Sequence, residues 1–206
     1  MNGQSLELRF KLGPIPVVVE PSFWLAGLMM GANLSGARLP LWLGILFVSI
    51  LIHELGHALT ARLFGARAWV QLYSFGGLAH PDRPLPKWRA IAMTLAGPFA
   101  GFAFGALVFA LSSQVMMTSA TAYWAVQQLL WINVIWGAVN LLPIYPLDGG
   151  HVLSSLLGPR HARTTRIVGV ALGVAMVLFA LATRQLPTAL LFGYLTWQNV
   201  NALRRL

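Results

Sequence analysis

Residues 39–61 read LPLWLGILFVSILIHELGHALTA, and Glu54 is the one formally charged side chain among them. A helix needs about 20 apolar residues to cross a hydrocarbon core of ~30 Å, so this stretch is long enough to span a membrane. An ionisable side chain at that depth costs roughly 3 kcal/mol and is retained mainly where function requires it. Glu54 and the neighbouring His53 and His57 therefore mark a candidate functional site.

The rest of the chain has the same apolar character. Of its 206 residues 57% are apolar and 9% are charged, against roughly 45–50% and 25% in soluble domains. This composition excludes an ordinary soluble domain. We predict an all-α polytopic membrane protein with about six transmembrane helices, formed as one integral membrane domain over residues 1–206. The predicted spans lie near residues 21–37, 41–63, 90–112, 122–142, 166–183 and 187–203.

The basic residues predict the orientation of these spans. Twelve of the 14 lysines and arginines fall on alternate connecting segments, including both ends of the chain. The positive-inside rule then places both termini in the cytoplasm. The same residues are dispersed over short loops, without the aromatic-interleaved basic face of a nucleic-acid binder, so we expect the lipid bilayer and no nucleic acid as a partner. The absence of cysteine excludes disulfides and thiolate metal sites.

Two segments are predicted not to be helical spans. Residues 5–20 alternate apolar and polar side chains and then become β-branched between prolines, which is typical of a strand or hairpin. Residues 66–80 include a second strand and turn signal that ends in Ser74, Phe75, Gly76 and Gly77. We expect a small β-hairpin or strand element near the cytoplasmic side, because such backbone reaches membrane depth only when protein or a wet cavity surrounds it.

The pattern H-E-x-x-H at residues 53–57 indicates a metal site. Residues four apart lie on one helix face, so His53 and His57 can bind one ion while Glu54 stands beside it as a general base. A catalytic zinc takes three protein ligands, and the third must come from elsewhere. The segment NLLPIYPLDGGH offers Asp148 and, as the less favoured alternative, His151. A bent chain there could return Asp148 to the metal, because prolines break the helix and glycines allow tight turns.

Four further polar residues are relevant to this site, two histidines and two asparagines. His80 and His161 lie in predicted loops and are expected to be solvated rather than metal ligands. Asn133 and Asn140 are seven residues apart, on one helical face, where they either line a polar channel or form hydrogen bonds between helices. Both interpretations stay open.

The chain resembles the site-2 protease family of intramembrane zinc metalloproteases. The resemblance rests on HELGH at 53–57, SFGG at 74–77, AGP at 96–98 and N-x-x-P-x-x-x-L-D-G at 140–149. It covers roughly residues 45–155 and places the catalytic core at about 41–155. The chain is most similar to a minimal, prokaryotic-type member of the family without PDZ or CBS domains. This resemblance implies a location in the prokaryotic cytoplasmic membrane.

The resemblance also implies residue roles. One Zn²⁺ per chain would be held by His53, His57 and Asp148, with Glu54 as the general base. Asn140 would contact the substrate backbone, and Gly76 and Gly77 would belong to a hairpin that pairs with an unwound substrate strand.

The implied reaction is peptide-bond hydrolysis within or near a transmembrane segment of another membrane protein, as in regulated intramembrane proteolysis. The competing hypotheses are a metal-ion transporter that uses the same histidines and aspartate, and an inactive membrane scaffold. Neither a regulatory membrane partner nor homo-oligomerisation is decided by the sequence.

Overall fold

The computed structural model describes residues 6–116 and 119–206. The described chain is mostly helical, with one four-stranded sheet. It divides into two compact units, Met1–Gly137 and Ala138–Leu206.

The first unit contains the sheet and the longest helices. Its elements are β1 (Leu8–Leu12), β2 (Ile15–Val19), α1 (Pro21–Met30), α2 (Arg38–Leu63), β3 (Ala68–Tyr73), β4 (Gly76–Pro81), α3 (Lys87–Met116), α4 (Ala120–Leu130) and a π-helical segment (Trp131–Trp136). A short helix α5 (Gly137–Asn140) continues the chain. The second unit then contains α6 (Asp148–Leu157), a 3-10 turn (Pro159–His161), α7 (Ala162–Ala182) and α8 (Leu186–Leu203).

The sheet confirms both predicted non-helical segments. Its strand order is β1-β2-β3-β4, with antiparallel outer pairs and a parallel pair of β2 with β3. Alternation buries one face of each central strand. The buried side chains are Ile15, Val17 and Val19 in β2 and Ala68, Val70 and Leu72 in β3.

The β3–β4 hairpin runs back along the second half of α2. At its base, the Ala66 N–H donates to the Ala61 carbonyl at 3.0 Å. At its tip, the backbone of Gly77 lies against the side chain of Glu54. The alanines of α2 on this side, Ala58 and Ala61, are buried. The small side chains of α2 therefore allow a sheet to lie beside the helix at the level of the H-E-x-x-H pattern.

Helix α1 packs antiparallel to the first half of α2. Gly31 lies against Trp42, Gly27 against Leu46, and the Trp42 indole N–H donates to the Gly27 carbonyl at 3.0 Å. The ten residues of α1 extend only about 15 Å at 1.5 Å per residue. The first predicted span is therefore a helix too short to cross a bilayer.

Among the described residues, three helices are long and apolar enough to cross a membrane: Arg38–Leu63, Lys87–Ser112 and Pro159–Ala182. They match the second, third and fifth predicted spans. The fourth predicted span is divided into α4, the π-helical segment and α5. The sixth corresponds to α8, which has 18 residues and carries several amide and hydroxyl side chains.

The second unit is built around the antiparallel pair α7 and α8. The pair approaches closely because glycines of α7 face polar side chains of α8: Gly173 lies against Thr196 and Gly169 against Asn199. The apolar core of this unit contains Ile144, Phe192 and Leu195. Ile144 belongs to the segment before α6, so that segment is packed into its own unit.

A glycine-to-alanine pair on α2 tests the packing of α2 against α3. A Cβ at Gly56 would lie 2.9 Å from the Ala100 Cβ and closer still to the Ala96 carbonyl oxygen, whereas a Cβ at Gly44 meets nothing within 4 Å. We expect Gly56→Ala to destabilise the protein by about 1–3 kcal/mol through overpacking. Gly44→Ala is the matched control and should be neutral or slightly stabilising. Thermal unfolding in detergent measures both, and equal melting temperatures would contradict the close approach.

Candidate metal centre

Helix α2 places three ionisable side chains in its apolar second half. Glu54 and His57 are buried, and His53 is half-buried. The helical spacing of four residues brings the two imidazoles to the same face, as predicted. Their Nε2 atoms lie 3.2 Å apart, with the rings nearly perpendicular at 83°.

This separation fits a shared metal ion. Zinc–nitrogen bonds of about 2.0–2.1 Å at a tetrahedral angle put two ligating nitrogens roughly 3.3 Å apart. The observed 3.2 Å between the Nε2 atoms of His53 and His57 agrees with that value. The donor set also suits zinc, which accepts imidazole nitrogen readily. The pair can therefore supply two of the protein ligands of a zinc ion.

Helix α3 fixes the orientation of the His57 ring. The Nδ1–H of His57 donates to the Met93 carbonyl at 2.8 Å. Because a carbonyl can only accept, the proton sits on Nδ1 and the lone pair on Nε2. A hydrogen bond of this kind commonly orients a metal-ligating histidine and raises its basicity. The backbone of Gly97 lies against the same ring, where a Cβ would fall 2.8 Å from Cδ2 and nearer still to Nε2.

The β3–β4 hairpin contacts Glu54. A Cβ at Gly77 would lie 2.7 Å from the Glu54 Oε1, so glycine is required for this approach. Gly76, the first residue of β4, has φ +120°, a backbone conformation that favours glycine. The structure thus brings Gly77, one of the two predicted hairpin residues, to the predicted general base.

Asn133 forms a hydrogen bond between helices. It is buried, and its amide N–H groups donate to the Ser49 hydroxyl at 2.8 Å and the Leu129 carbonyl at 2.8 Å. Ser49 lies one helical turn before His53 on α2. Asn133 also lies in the π-helical segment, so the 3.6-residue spacing that put Asn133 and Asn140 on one face does not apply there.

The second unit places Asp148 at the first position of α6 and Asn140 at the end of α5. Gly149 and Gly150 lie inside the first turn of α6, so the expectation of tight turns at these glycines is wrong. They are needed for close packing: a Cβ at Gly149 would lie 2.5 Å from the Leu142 carbonyl oxygen, and one at Gly150 would lie 2.5 Å from the Tyr145 nitrogen. The first turn of α6 is thereby seated on residues 141–145.

The other histidines have partners within their own units. The His151 ring lies 4.4 Å from the Tyr145 ring. His161 is exposed, as expected, and its Nδ1–H donates to the Leu157 carbonyl at 3.0 Å.

His80 differs from the expectation of a solvated loop residue, since it lies half-buried in β4. Its ring stacks on Trp69 at 4.2 Å, and its Nε2 lies 3.2 Å from the Gln71 Oε1. Burial lowers the pKa of His80, which favours the neutral ring.

Sequence reasoning missed several residues that support the site. The Met93 carbonyl left no signal in the sequence, because any residue could supply it. Ser49 could have been found, since it is a hydroxyl on an apolar helix, four residues before His53. Tyr145 was not singled out, although it lies beside His151 in the second unit.

The sequence profile of peptidase family M50 matches residues 42–182. The chain belongs to peptidase family M50. The matched residues include the H-E-x-x-H pattern of α2 and the L-D-G segment at the start of α6. The profile match therefore covers both parts of the chain that carry the predicted metal ligands.

This M50 chain is similar to zinc metalloprotease MJ0392 of Methanocaldococcus jannaschii, with 33% identity over 143 residues. It is also 34% identical over 195 residues to Rip3 of Mycobacterium tuberculosis. The matches include 66% and 88% of this chain but only 42% and 44% of the two relatives, so the chain spans less than half of their lengths. A solved site-2 protease from M. jannaschii has the same fold, with a TM-score of 0.67, 24% identity, and coverage of 96% of this chain and 95% of that one.

Gly97→Ala in this M50 chain tests the close packing of the His57 ring against α3. The added methyl group would displace the imidazole and break its hydrogen bond to Met93, so we expect zinc affinity to fall by about 10–100-fold, as is typical when a partner that orients a ligand is lost. Gly101→Ala on the same helix is the control, because its Cβ would make only an ordinary contact of 3.4 Å with the Asn133 carbonyl oxygen. Competition with a chromophoric chelator measures both affinities, and unchanged affinity in Gly97→Ala would contradict the assignment.

Proposed function

We propose that this M50 chain is an intramembrane zinc metalloendopeptidase that hydrolyses a peptide bond within or near a transmembrane segment of another membrane protein. The observation that carries the proposal is the 3.2 Å approach of the His53 and His57 Nε2 atoms on an apolar helix long enough to span a membrane. The adjacent Glu54 completes the residue types that such hydrolysis requires.

The proposed zinc ligands are His53, His57 and Asp148, with one ion per chain. A catalytic zinc uses three protein ligands and leaves one position open, and the two histidines supply two of them. Asp148 is favoured as the third over His151 for two reasons. A carboxylate near lipid needs a positive partner more than a neutral imidazole does, and the His151 ring already contacts Tyr145.

The chain's own residues carry out the proton transfer and orient the metal-binding histidine. When bound, zinc acts as a Lewis acid that lowers the pKa of a water molecule and polarises the scissile carbonyl. Glu54 accepts the proton of the attacking water and passes it to the leaving amine. The Met93 carbonyl holds the His57 proton on Nδ1, so that Nε2 keeps its lone pair.

We further propose that β4 binds the substrate as an added strand. A helical substrate must unwind before attack, and the free edge of a sheet can satisfy the exposed backbone groups. Strand β4 is an edge strand of the sheet, and its first two residues, Gly76 and Gly77, lie at the hairpin tip that contacts Glu54. Asn140 is proposed to contact the substrate backbone through its amide.

The finer membrane topology is also a proposal. Six membrane-inserted segments, a cytoplasmic location of both termini and a prokaryotic cytoplasmic membrane are consistent with the distribution of basic residues. A single protease domain over residues 1–206 stays a prediction.

A metal-ion transit site accounts for less of the structure. It would use the two histidines, but it gives no role to the Glu54 carboxylate or to the glycine that admits the hairpin tip beside it. Family membership also favours hydrolysis, so we do not propose the transporter.

Glu54→Gln tests the reaction. The amide has nearly the same shape as the carboxylate but cannot accept the proton, so cleavage should fall by about 100-fold or more while bound zinc is retained. The assay co-expresses the protein with single-span membrane substrates and follows the cleaved fragment by immunoblot, with zinc measured on the purified protein. Cleavage that survives the substitution would exclude Glu54 as the general base.

Asp148→Ala and His151→Ala separate the two candidate third ligands. We expect loss of zinc from the purified Asp148→Ala protein and near-normal zinc in His151→Ala, because only a direct ligand is required for stoichiometric binding. Metal content by mass spectrometry and melting temperature are measured together, so that unfolding is distinguished from ligand loss. The reverse pattern in correctly folded variants would assign His151 instead.

A further inference from the structure

The second unit contains an open cavity of about 430 Å³ that the proposed proteolysis does not use. It lies where the start of α7 meets the end of α8, next to the segment that precedes α6. Its lining includes Arg166, Arg205, Tyr145, Trp197, Gln198 and Asn201. Two guanidinium groups, two carboxamides and two aromatic rings therefore share one concave surface.

The cavity carries positive charge without a neighbouring acid. Its two charged lining residues are Arg166 and Arg205, and the described residues that line it include no carboxylate. In the sequence of the second unit, Asp148 is the one acidic residue against six arginines. The contacts of Arg166 are to neutral groups: its guanidinium lies 3.9 Å from the centre of the Tyr145 ring and 3.4 Å from the Asn199 Oδ1. Its charge stays available to an anion.

Arg166 is held in place by a buried amide. Asn199 is fully buried, and its amide N–H groups donate to the Tyr145 carbonyl at 2.6 Å and the Leu195 carbonyl at 2.8 Å. Both donors are thus used, which turns the Oδ1 acceptor towards Arg166. Gly169 leaves space for this amide, because a Cβ there would lie 2.9 Å from the Asn199 Oδ1. These contacts restrain the guanidinium of Arg166, which reduces the entropy lost on ligand binding.

The remaining lining residues suit a phosphate group at a membrane surface. The amides of Gln198 and Asn201 can donate hydrogen bonds to phosphate oxygens, as guanidinium groups do. Trp197 is 59% exposed, and tryptophan is enriched where a membrane meets water. Five of the six arginines of this unit flank the same end of the α7–α8 pair: Arg160, Arg163, Arg166, Arg204 and Arg205.

We propose that this cavity binds the phosphate group of an anionic ligand, namely the headgroup of an acidic phospholipid in the adjacent leaflet. Basic pockets between membrane helices commonly bind such headgroups, and a direct hydrogen bond from a guanidinium to a charged phosphate contributes about tenfold or more in affinity. The ligand would also contact Tyr145, three residues before Asp148, so its binding would restrain the segment that leads into α6. The site does not depend on zinc or on proteolysis.

Lipid binding to the full chain in a neutral detergent tests the proposal. Calorimetric titration compares short-chain phosphatidylglycerol with phosphatidylcholine of the same acyl length, and we expect measurable binding of the former only. Arg205→Gln should weaken phosphatidylglycerol binding about tenfold, because it removes a direct charge-assisted contact to the phosphate. Arg204→Gln is the matched control, because it removes the same charge one residue away from a side chain that does not line the cavity, and it should change the affinity less than twofold. Equal losses in the two variants, or equal binding of the two lipids, would overturn the proposal.

Two further arms complete the test. Arg166→Gln should also weaken binding, and because its loss could disturb Tyr145, its melting temperature is recorded; the exposed Arg205 keeps the test valid if this variant unfolds. Titration with inorganic phosphate separates the sources of the anion. If inorganic phosphate binds with the same dependence on Arg205 and prevents lipid binding, the cavity is a phosphate site and its assignment to a phospholipid is overturned. If inorganic phosphate binds weakly, the result supports a phospholipid headgroup as the ligand.

Discussion

The first unit is organised around the cost of holding two imidazoles and a carboxylate in the middle of an apolar helix. Such groups are stable there only when neighbouring elements satisfy them. The His57 Nδ1–H reaches the Met93 carbonyl of α3, and its Nε2 faces that of His53. The contact with Met93 needs backbone within a few ångströms of the His57 ring, so α3 must approach α2 closely. Glycine at position 97 is a direct consequence, because any side chain there would occupy the place of the imidazole.

The same constraint explains why a β-hairpin lies beside a membrane helix. Backbone that is not helical is tolerated at this depth only when protein or water surrounds it. The sheet meets this condition by burying Val70 and Leu72 of β3 and by packing on the small side chains of α2. Its glycine tip then reaches Glu54, which brings backbone hydrogen-bonding groups and a carboxylate into one place. Substrate strand addition and acid–base chemistry would use the same geometry.

The sequence was informative where a residue type has few alternative uses. H-E-x-x-H on an apolar helix predicted the pairing of His53 with His57, and alternating residues predicted the strands of the sheet. Prediction from the sequence failed where the local structure depends on packing against other segments of the chain. The turns expected at Gly149 and Gly150 are helical, because close packing rather than backbone conformation requires glycine there. The first predicted span differs from the structure for a similar reason: apolar composition does not determine the length of a helix, and α1 ends after ten residues.

In both units a buried asparagine forms a hydrogen bond with a residue three or four positions before a proposed ligand. In the first, Asn133 donates to Ser49, one turn before His53. In the second, Asn199 donates to the Tyr145 carbonyl, in the segment that leads into Asp148. Small zinc domains fold only when metal binds, because their ligands are otherwise unrestrained. Here amide hydrogen bonds and glycine contacts between protein groups restrain the ligand-bearing elements. We therefore expect the loss of zinc to abolish the proposed peptide hydrolysis while each unit keeps its fold. In this respect the site differs from a structural zinc centre, which needs its metal in order to fold.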